Sequence, residues 1–340
     1  MTVLQGLDHW AQWYGNCMHS CVGSVLRFHG LDPVPVFGAH WEFRYRPGDF
    51  RRDEYYHPER GGDLLGTLAP YHPVRSAWHE PADDESAWAE LRAEVDAGRP
   101  AVVAVDNFHL PFRPAYGDVH ANHLVVVYGH EAAGEVVHVL DSSPPGHHGP
   151  MPYAELGTAR RSENPQARER DMFFAGTPIR NRWLGIELTG PAPEIDEAWV
   201  RRALAANVAG FGTPGSDGEL AGVDGLRRCL DLGIAGLEGT DPVAAIDELY
   251  VLIGATLGAT GSHARFLTEV GGRRGWWPLV ELGRDVQRVG HHWTALRPLV
   301  GLHRGRPRDV IPRLRQRWAE LLVDQEAVLD RTERALSRAW

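Results

Sequence analysis

Two of the three cysteines, Cys17 and Cys21, stand four residues apart in "GNCMHSCVGSVLRFHG", residues 15–30. A thiol attacks as its thiolate, and the unpaired N–H groups and positive dipole end at a helix N-terminus favour that anion. Gly15 and Asn16 lead into an apolar stripe of Met18, Cys21, Val22, Val25 and Phe28, which sets Cys17 at a helix start. There, or beside an imidazolium, a cysteine pKa falls from about 8.5 to about 3.5–7.5. Cys21 lies one turn on, within the stripe, where a small buried hydrophobe fits. Cys-x-x-x-Cys without a second pair is a poor zinc pattern, and a thioredoxin-like pair needs Cys-x-x-Cys, so no metal is expected. On these residues alone, two buried helix cysteines with no chemistry are an equal alternative.

A second cluster changes the balance. In "DVHANHLVVVYGHEAAGEVVHVLDSSP", His123 opens one apolar run and Asp141 closes the next. With "EAAG" as a short hairpin loop, position 123 falls within about one residue of opposite position 141. A carboxylate beside an imidazole fixes its tautomer and stabilises the imidazolium. A cysteine, a later histidine and an acid orienting it form the papain-type constellation, recognised by roles. His120 precedes the strand and is less well placed as the base.

Elements must carry these residues to one place. Cys17–His29 has helical periodicity, stopped by Gly30. "DDESAWAELRAEVDAGRP", 83–100, reads as a helix with acidic residues in its first turn. The short Val-rich runs 101–108, 123–130 and 135–141 read as strands. Arg44–Tyr71 is rich in Gly, Pro, Arg and aromatics without a period, as loops around a mouth would be. From about Arg182 the chain turns helical. The expected architecture is α+β: an N-terminal helix on an antiparallel sheet over 1–180, then a mostly α-helical domain over 181–340.

Composition sets outer limits. A formal net charge of −10 argues against a nucleic-acid binder. No apolar run approaches the roughly 18–20 residues of a membrane span, and no signal peptide is visible. Three cysteines make no disulfide framework, which fits a reducing, cytoplasmic setting. One stretch is strongly basic: Arg304, Arg306, Arg308, Arg313, Arg315 and Arg317 lie within 303–318. It is either a solvated face or a dock for an acidic partner.

Cys17, Ser20 and Leu26-Arg27-Phe28-His29-Gly30-Leu31 resemble the opening motif of the butirosin biosynthesis protein H N-terminal family. "VDNFHLPFRPAYGDVHANHLVVVYGHE", 105–131, resembles its middle, and "MPYAELGTARRSE" its end, so the likeness covers about 15–165. The Cys-to-Gly spacing and the strand pair are also similar to leader peptidases of bacteriocin exporters. The helical remainder, with "GATGSHARFLTEVG" and "GHHWTALRPLV", looks more loosely like the domain that usually follows.

The resemblance implies a papain-like acyltransferase that moves an acyl group from a carrier-protein phosphopantetheine thioester to an amine of an antibiotic scaffold. Aminoglycoside-like and lincosamide-like amines both suit it, and no bound cofactor is implied. Cys17 would be the nucleophile, His123 the general base and acid, and Asp141 the orienting carboxylate. Asn16 stands where the family often has His, and Gln12 is five rather than six residues before the cysteine. The oxyanion hole would use the Cys17 N–H with Gln12 or Asn16. Trp41, Tyr45, Phe108 and Tyr116 are expected walls, and Asp106 and Asp118 expected holders of a cationic acceptor. The arginines of 303–318 would dock the carrier, and a homodimer is compatible with the helical half. The rivals are a cysteine peptidase or amidase with the same triad, including one that self-processes before Cys17, and a non-catalytic carrier-binding module.

Overall fold

A computed structural model describes residues 1–48, 62–131, 135–167, 171, 175–215, 218–338 and 340. Part of the loop stretch expected over 44–71, namely 49–61, lies outside the described residues. In chain order the first elements are β1 (Thr2–Val3), α1 (Cys17–Phe28), α2 (Pro33–Gly38), β2 (Arg44–Tyr45), α3 (Leu64–Leu68) and β3 (Val74–His79). Next come α4 (Asp84–Asp96), β4 (Ala101–Asp106), β5 (Asn122–His130), β6 (Val136–Asp141), β7 (His147–Pro152), α5 (Tyr153–Arg160) and β8 (Trp183–Leu188). The chain continues through α6 (Glu197–Gly212), β9 (Leu220–Ala221), α7 (Gly222–Glu238), α8 (Pro242–Arg274), α9 (Trp277–Leu302) and α10 (Ile311–Leu336).

Two compact units result. The first comprises Met1–Asp32, the described part of Arg51–Gly66, and Val74–Gly190. The second comprises the described part of Pro33–Phe50, Thr67–Pro73, and Pro191–Trp340. The expected division at 180/181 is therefore corrected in two ways. β8 falls after it yet belongs to the sheet, because it pairs with β3 along its length and with β4 at Val102 and Val103. Conversely, Pro33–Phe50 and Thr67–Pro73 fall before it yet group with the helices.

The first unit is α+β. Its sheet runs β3-β8-β4-β5-β6-β7, antiparallel at every pairing, with β1 adding to β5. Every residue of β4 and β5 is buried, which is why these strands read as continuous Val-rich runs. Val103, Val105, Val125, Val127, Val137 and Val139 form one core with Leu91 and Val95 of α4 and Leu156 of α5. Burying each such side chain contributes about 1.5–3 kcal/mol. α1 packs against β4, β5 and β6. Gly23 lets the preceding segment lie close on it: a Cβ there would stand 2.2 Å from Trp10 Cε3. Gly30, with φ of +78°, ends the helix turn as a left-handed residue can.

Among the described residues, the regular structure of the second unit is helical apart from the short antiparallel pair of β2 and β9. α8 packs along α9, and α9 along α10, with α2 against α8. α8 has the length and apolarity of a membrane span, with mean hydropathy 1.4 over its most apolar stretch, half of it buried. That corrects the expectation that no such stretch exists: interspersed Gly, Thr and Ala keep it from standing out as a run. Inside this unit Trp41 is 3% exposed, stacks on His263 at 4.9 Å and donates its indole N–H to Thr260 Oγ1 at 3.3 Å. Burial drives His263 down to about 4 despite its bond to the Gly38 carbonyl, so its imidazole is neutral at ordinary pH.

Candidate active site

Cys17 is the first helical residue of α1, immediately after the N-cap Asn16. Asn16 is extended, and its side-chain Oδ1 accepts the His19 N–H at 3.2 Å, while the His19 ring reaches back to the Asn16 backbone N–H. This capping box fixes where the helix begins. The turn before it is closed by Gly15 N–H donating to the Gln12 carbonyl at 3.0 Å. Asn16 therefore serves the cap through its side-chain oxygen, and Gln12 serves the turn through its backbone. Cys17 itself is 4% exposed.

A strand irregularity aligns the histidine and the carboxylate. Near the hairpin loop Gly129 stands opposite His138, yet Val127 stands opposite Val139, so Tyr128 is an extra residue on β5. Such a bulge shifts the register by one, and a one-residue shift exchanges the faces of a strand. With the bulge, His123 and Asp141 share a face as diagonal neighbours; without it they would point to opposite faces. His123 is 2% exposed and its Nε2 lies 2.8 Å from Asp141 Oδ2. The register expected from the sequence, directly opposite to within one residue, is corrected to this diagonal.

Asp141 is fully buried and holds three partners. Besides His123, Arg113 Nη1 donates to Oδ2 at 3.2 Å and the Ser143 N–H to Oδ1 at 2.8 Å. Burial alone would push the carboxyl up. The His123 imidazolium and its hydrogen bond, the Arg113 guanidinium and the Ser143 N–H outweigh it and hold Asp141 below the ordinary carboxylate range. Arg113 also donates to the Ser143 carbonyl at 2.9 Å. Sequence reasoning gave Arg113 no role, although it stands in the Leu-Pro-Phe-Arg-Pro run, residues 110–114, and that run was the available signal.

Cys21 shows how α1 meets these strands. Pairing of β5 with β6 stops at Val126 and Leu140. Beyond that point the Leu124 carbonyl accepts the Cys21 thiol at 3.2 Å, and Ser24 Oγ lies 3.3 Å from Ser142 Oγ. α1 thus enters where the two strands part, beside the residues that carry His123 and Asp141. Burial first, then the charges of Asp141 and Cys17, push the Cys21 thiol well up, against a smaller lowering by Arg113. Cys21 is a neutral donor and a packing group. Cys21→Ala should cost about 1 kcal/mol of stability in urea denaturation and keep Cys17 chemistry; a loss as deep as that of Cys17→Ala would refute the division of roles.

Other expected site residues are placed differently. Asp106 is fully buried and its two oxygens accept from Phe108 N, Ala121 N, Ser162 Oγ and, at 2.7 Å, the His120 ring. It cannot also hold a cationic acceptor, because its lone pairs are directed at internal donors. Phe108 is half-buried and stacks on His120 at 4.1 Å, Tyr116 is 56% exposed, and Asp118 is half-buried in the turn closed on the Ala115 carbonyl. Trp41 and Tyr45 belong to the second unit, where both are buried in its packing, so neither is an open wall. Of the arginines, Arg304 makes two bonds to Asp247 and Arg308 donates to the Leu237 and Gly239 carbonyls at the end of α7. Arg315 lies 3.9 Å from Glu238 and Arg317 3.2 Å from Glu320, while Arg306 and Arg313 are exposed. Among the described residues no group of three His, Cys, Asp or Glu side chains is placed to hold a metal ion.

An α+β domain with a helix-borne cysteine and a buried histidine–aspartate pair is thus the frame in which to compare the chain with known proteins. Residues 16–142 match the family model described as butirosin biosynthesis protein H, N-terminal. The family is named for a biosynthetic protein, and the likeness runs from Asn16, the N-cap of α1, to the residue after Asp141. No curated protein matches the chain.

Proposed function

We propose that the protein is a cysteine-nucleophile acyltransferase of natural-product biosynthesis, on a papain-like domain, that forms an amide from a carrier-bound thioester and an amine. The observation that carries this reading is the 2.8 Å bond from His123 Nε2 to buried Asp141, beside the helix that Cys17 begins. With Nε2 committed to Asp141, Nδ1 is the ring nitrogen left for the sulfur and for proton transfer.

The Cys17 thiolate attacks the thioester carbonyl of the phosphopantetheine arm, and the developing oxyanion meets the N–H groups at the start of α1. The carbon–sulfur bond to the arm breaks, and its thiolate takes the proton of His123, leaving acyl-Cys17. An amine then attacks the acyl carbon and gives its proton to His123 Nδ1. The new carbon–nitrogen bond remains, and Cys17 leaves as a thiolate paired with the imidazolium. Thioester plus amine becomes amide plus thiol, without ATP. Asp141 keeps the ring in one tautomer through both halves. The carrier contact is assigned to the exposed Arg306 and Arg313, with Arg315 and Arg317 in exchangeable surface pairs.

Intact-mass measurement after mixing the protein with an acyl-carrier thioester tests this. The expected result is one acyl adduct on Cys17 that an added amine discharges. Cleavage of peptides with no loading from the carrier would instead make the protein a peptidase, and a thiol inert to both would make it a binding module.

A further inference from the structure

The segment between β4 and β5, residues 107–121, is tied to three acids: Asp106 at its base, Asp171, whose Oδ1 accepts the His120 N–H at 3.2 Å, and Asp141 at its far side. At its base Asp106 collects the Phe108 N–H at 3.0 Å, the Ala121 N–H at 3.2 Å, Ser162 Oγ at 2.6 Å and His120 Nδ1 at 2.7 Å. His109 Nε2 stands further off, at 4.0 Å. The two ends of the loop also bond to each other, Asn107 N–H to the Ala121 carbonyl at 2.9 Å. The His120 ring lies flat on Phe108, at 4.1 Å and 8°, so its orientation is fixed from the face as well as from Nδ1. At its far side the loop carries Phe112 and Arg113. Phe112 stacks on His147 at 4.2 Å and 7°, and His147 is paired with Asp141 across β6 and β7. Arg113 bonds Asp141 and the Ser143 carbonyl.

We propose that Asp106 and His120 are positioning residues: they clasp the base of the 107–121 loop so that Arg113 is delivered to Asp141, and thereby set the His123–Asp141 pair. The inference rests on the reading of Cys17, His123 and Asp141 as the reacting constellation. It explains why the chain fully buries a second carboxylate, paired with a half-buried second histidine, where the carboxylate's oxygens are taken up by internal donors. Charge-assisted bonds to a buried carboxylate are the stronger kind, and a base held by four donors leaves the loop few alternatives. The loop is one route from Asp106 to Asp141, since Arg113 touches both Asp141 and the backbone after it; the other is the β4–β5 pairing, in which Val105 stands opposite His123 and Asp106 opposite Asn122.

The test compares His120→Phe, which removes the ring donor to Asp106, with Arg113→Lys and with the double variant. Asp106→Asn is a harsher companion that leaves four donors around a weaker acceptor. The first readout is the pH dependence of Cys17 alkylation by iodoacetamide. Arg113→Lys keeps the charge but loses the fork that spans Asp141 and the Ser143 carbonyl, so the carboxyl protonates at higher pH and the acid limb should move up by about one pH unit, or roughly tenfold in rate at a fixed pH on that limb. His120→Phe should move it the same way, and the double variant should go no further than Arg113→Lys alone. The second readout is the downfield proton resonance of the His123–Asp141 hydrogen bond, followed in Cys17→Ala protein; it should shift in His120→Phe. An unchanged limb and resonance in His120→Phe, or additive effects in the double variant, would overturn the proposal and leave Asp106 as a local brace. Because the resonance is read without the nucleophile, failure of the acyl-transfer reading would show separately, as wild-type protein that never loads.

Discussion

Cys17→Ala should lose amide formation by about 10⁴-fold or more while melting close to the wild type. The size follows from the proposed mechanism, in which Cys17 Sγ carries the acyl chain between donor and amine. Cys21 cannot substitute, since burial and nearby negative charge keep it a thiol and its hydrogen is committed to the Leu124 carbonyl. The fold should tolerate the change because the α1 cap is made by Asn16 and His19, not by the thiol. Loss of one small buried group costs about 1 kcal/mol. Product mass and a thermal melt on the same preparation check both halves. Full transfer in the variant would end the nucleophile assignment.

Asp141→Asn should combine a catalytic and a structural loss. An amide offers the His123 Nε2–H only a neutral dipole, or turns its NH2 to the ring and favours the other tautomer, so turnover should fall, by up to about 10⁴ in the second case, with little change in KM. Arg113 is simultaneously left without its charged partner in a largely buried setting. Breaking a buried pair from one side costs about 3–5 kcal/mol. The pH dependence follows in sign. Asp141 is depressed in the folded chain, so its stabilising effect is complete above the ordinary carboxylate range and is lost as pH falls through its lowered value. The stability gap between wild type and Asp141→Asn should therefore be widest near neutrality and shrink toward strong acid, as denaturant titrations at several pH values would show. A KM effect larger than the turnover effect would count against an orienting role.

The parts of this arrangement that depend on neighbours in the chain were legible before any coordinates. Asn16 before Cys17, an apolar stripe after it and Gly30 at the end define α1 locally, and the Val-rich runs define β4, β5 and β6. His123 and Asp141 were identifiable as a pair, but not their register, because nothing about the single letter of Tyr128 marks it as the extra residue of a bulge. Arg113 and Asp106 depend on contacts across the sheet: a carboxylate in a sequence does not reveal whether its oxygens face a substrate or four internal donors. β8 was absorbed into the helical half since its six residues follow a change in composition, and pairing with β3 overrides that cue. Trp41 and Tyr45 were misplaced for a related reason: aromatic residues in a Gly- and Pro-rich stretch suit a cleft wall and a distant helix packing equally well.

The interleaving of the two units bears on how the protein can be dissected. A fragment ending at Gly190 would still carry Trp41, Phe43 and Tyr45, but without Phe211, Thr260 and His263, which surround the first of them. Such a truncation strands greasy side chains in water and invites clumping, so mutational separation of the halves is the cleaner tool. An isolated first unit would need 33–48 and Thr67–Pro73 replaced by polar linkers rather than a simple stop codon.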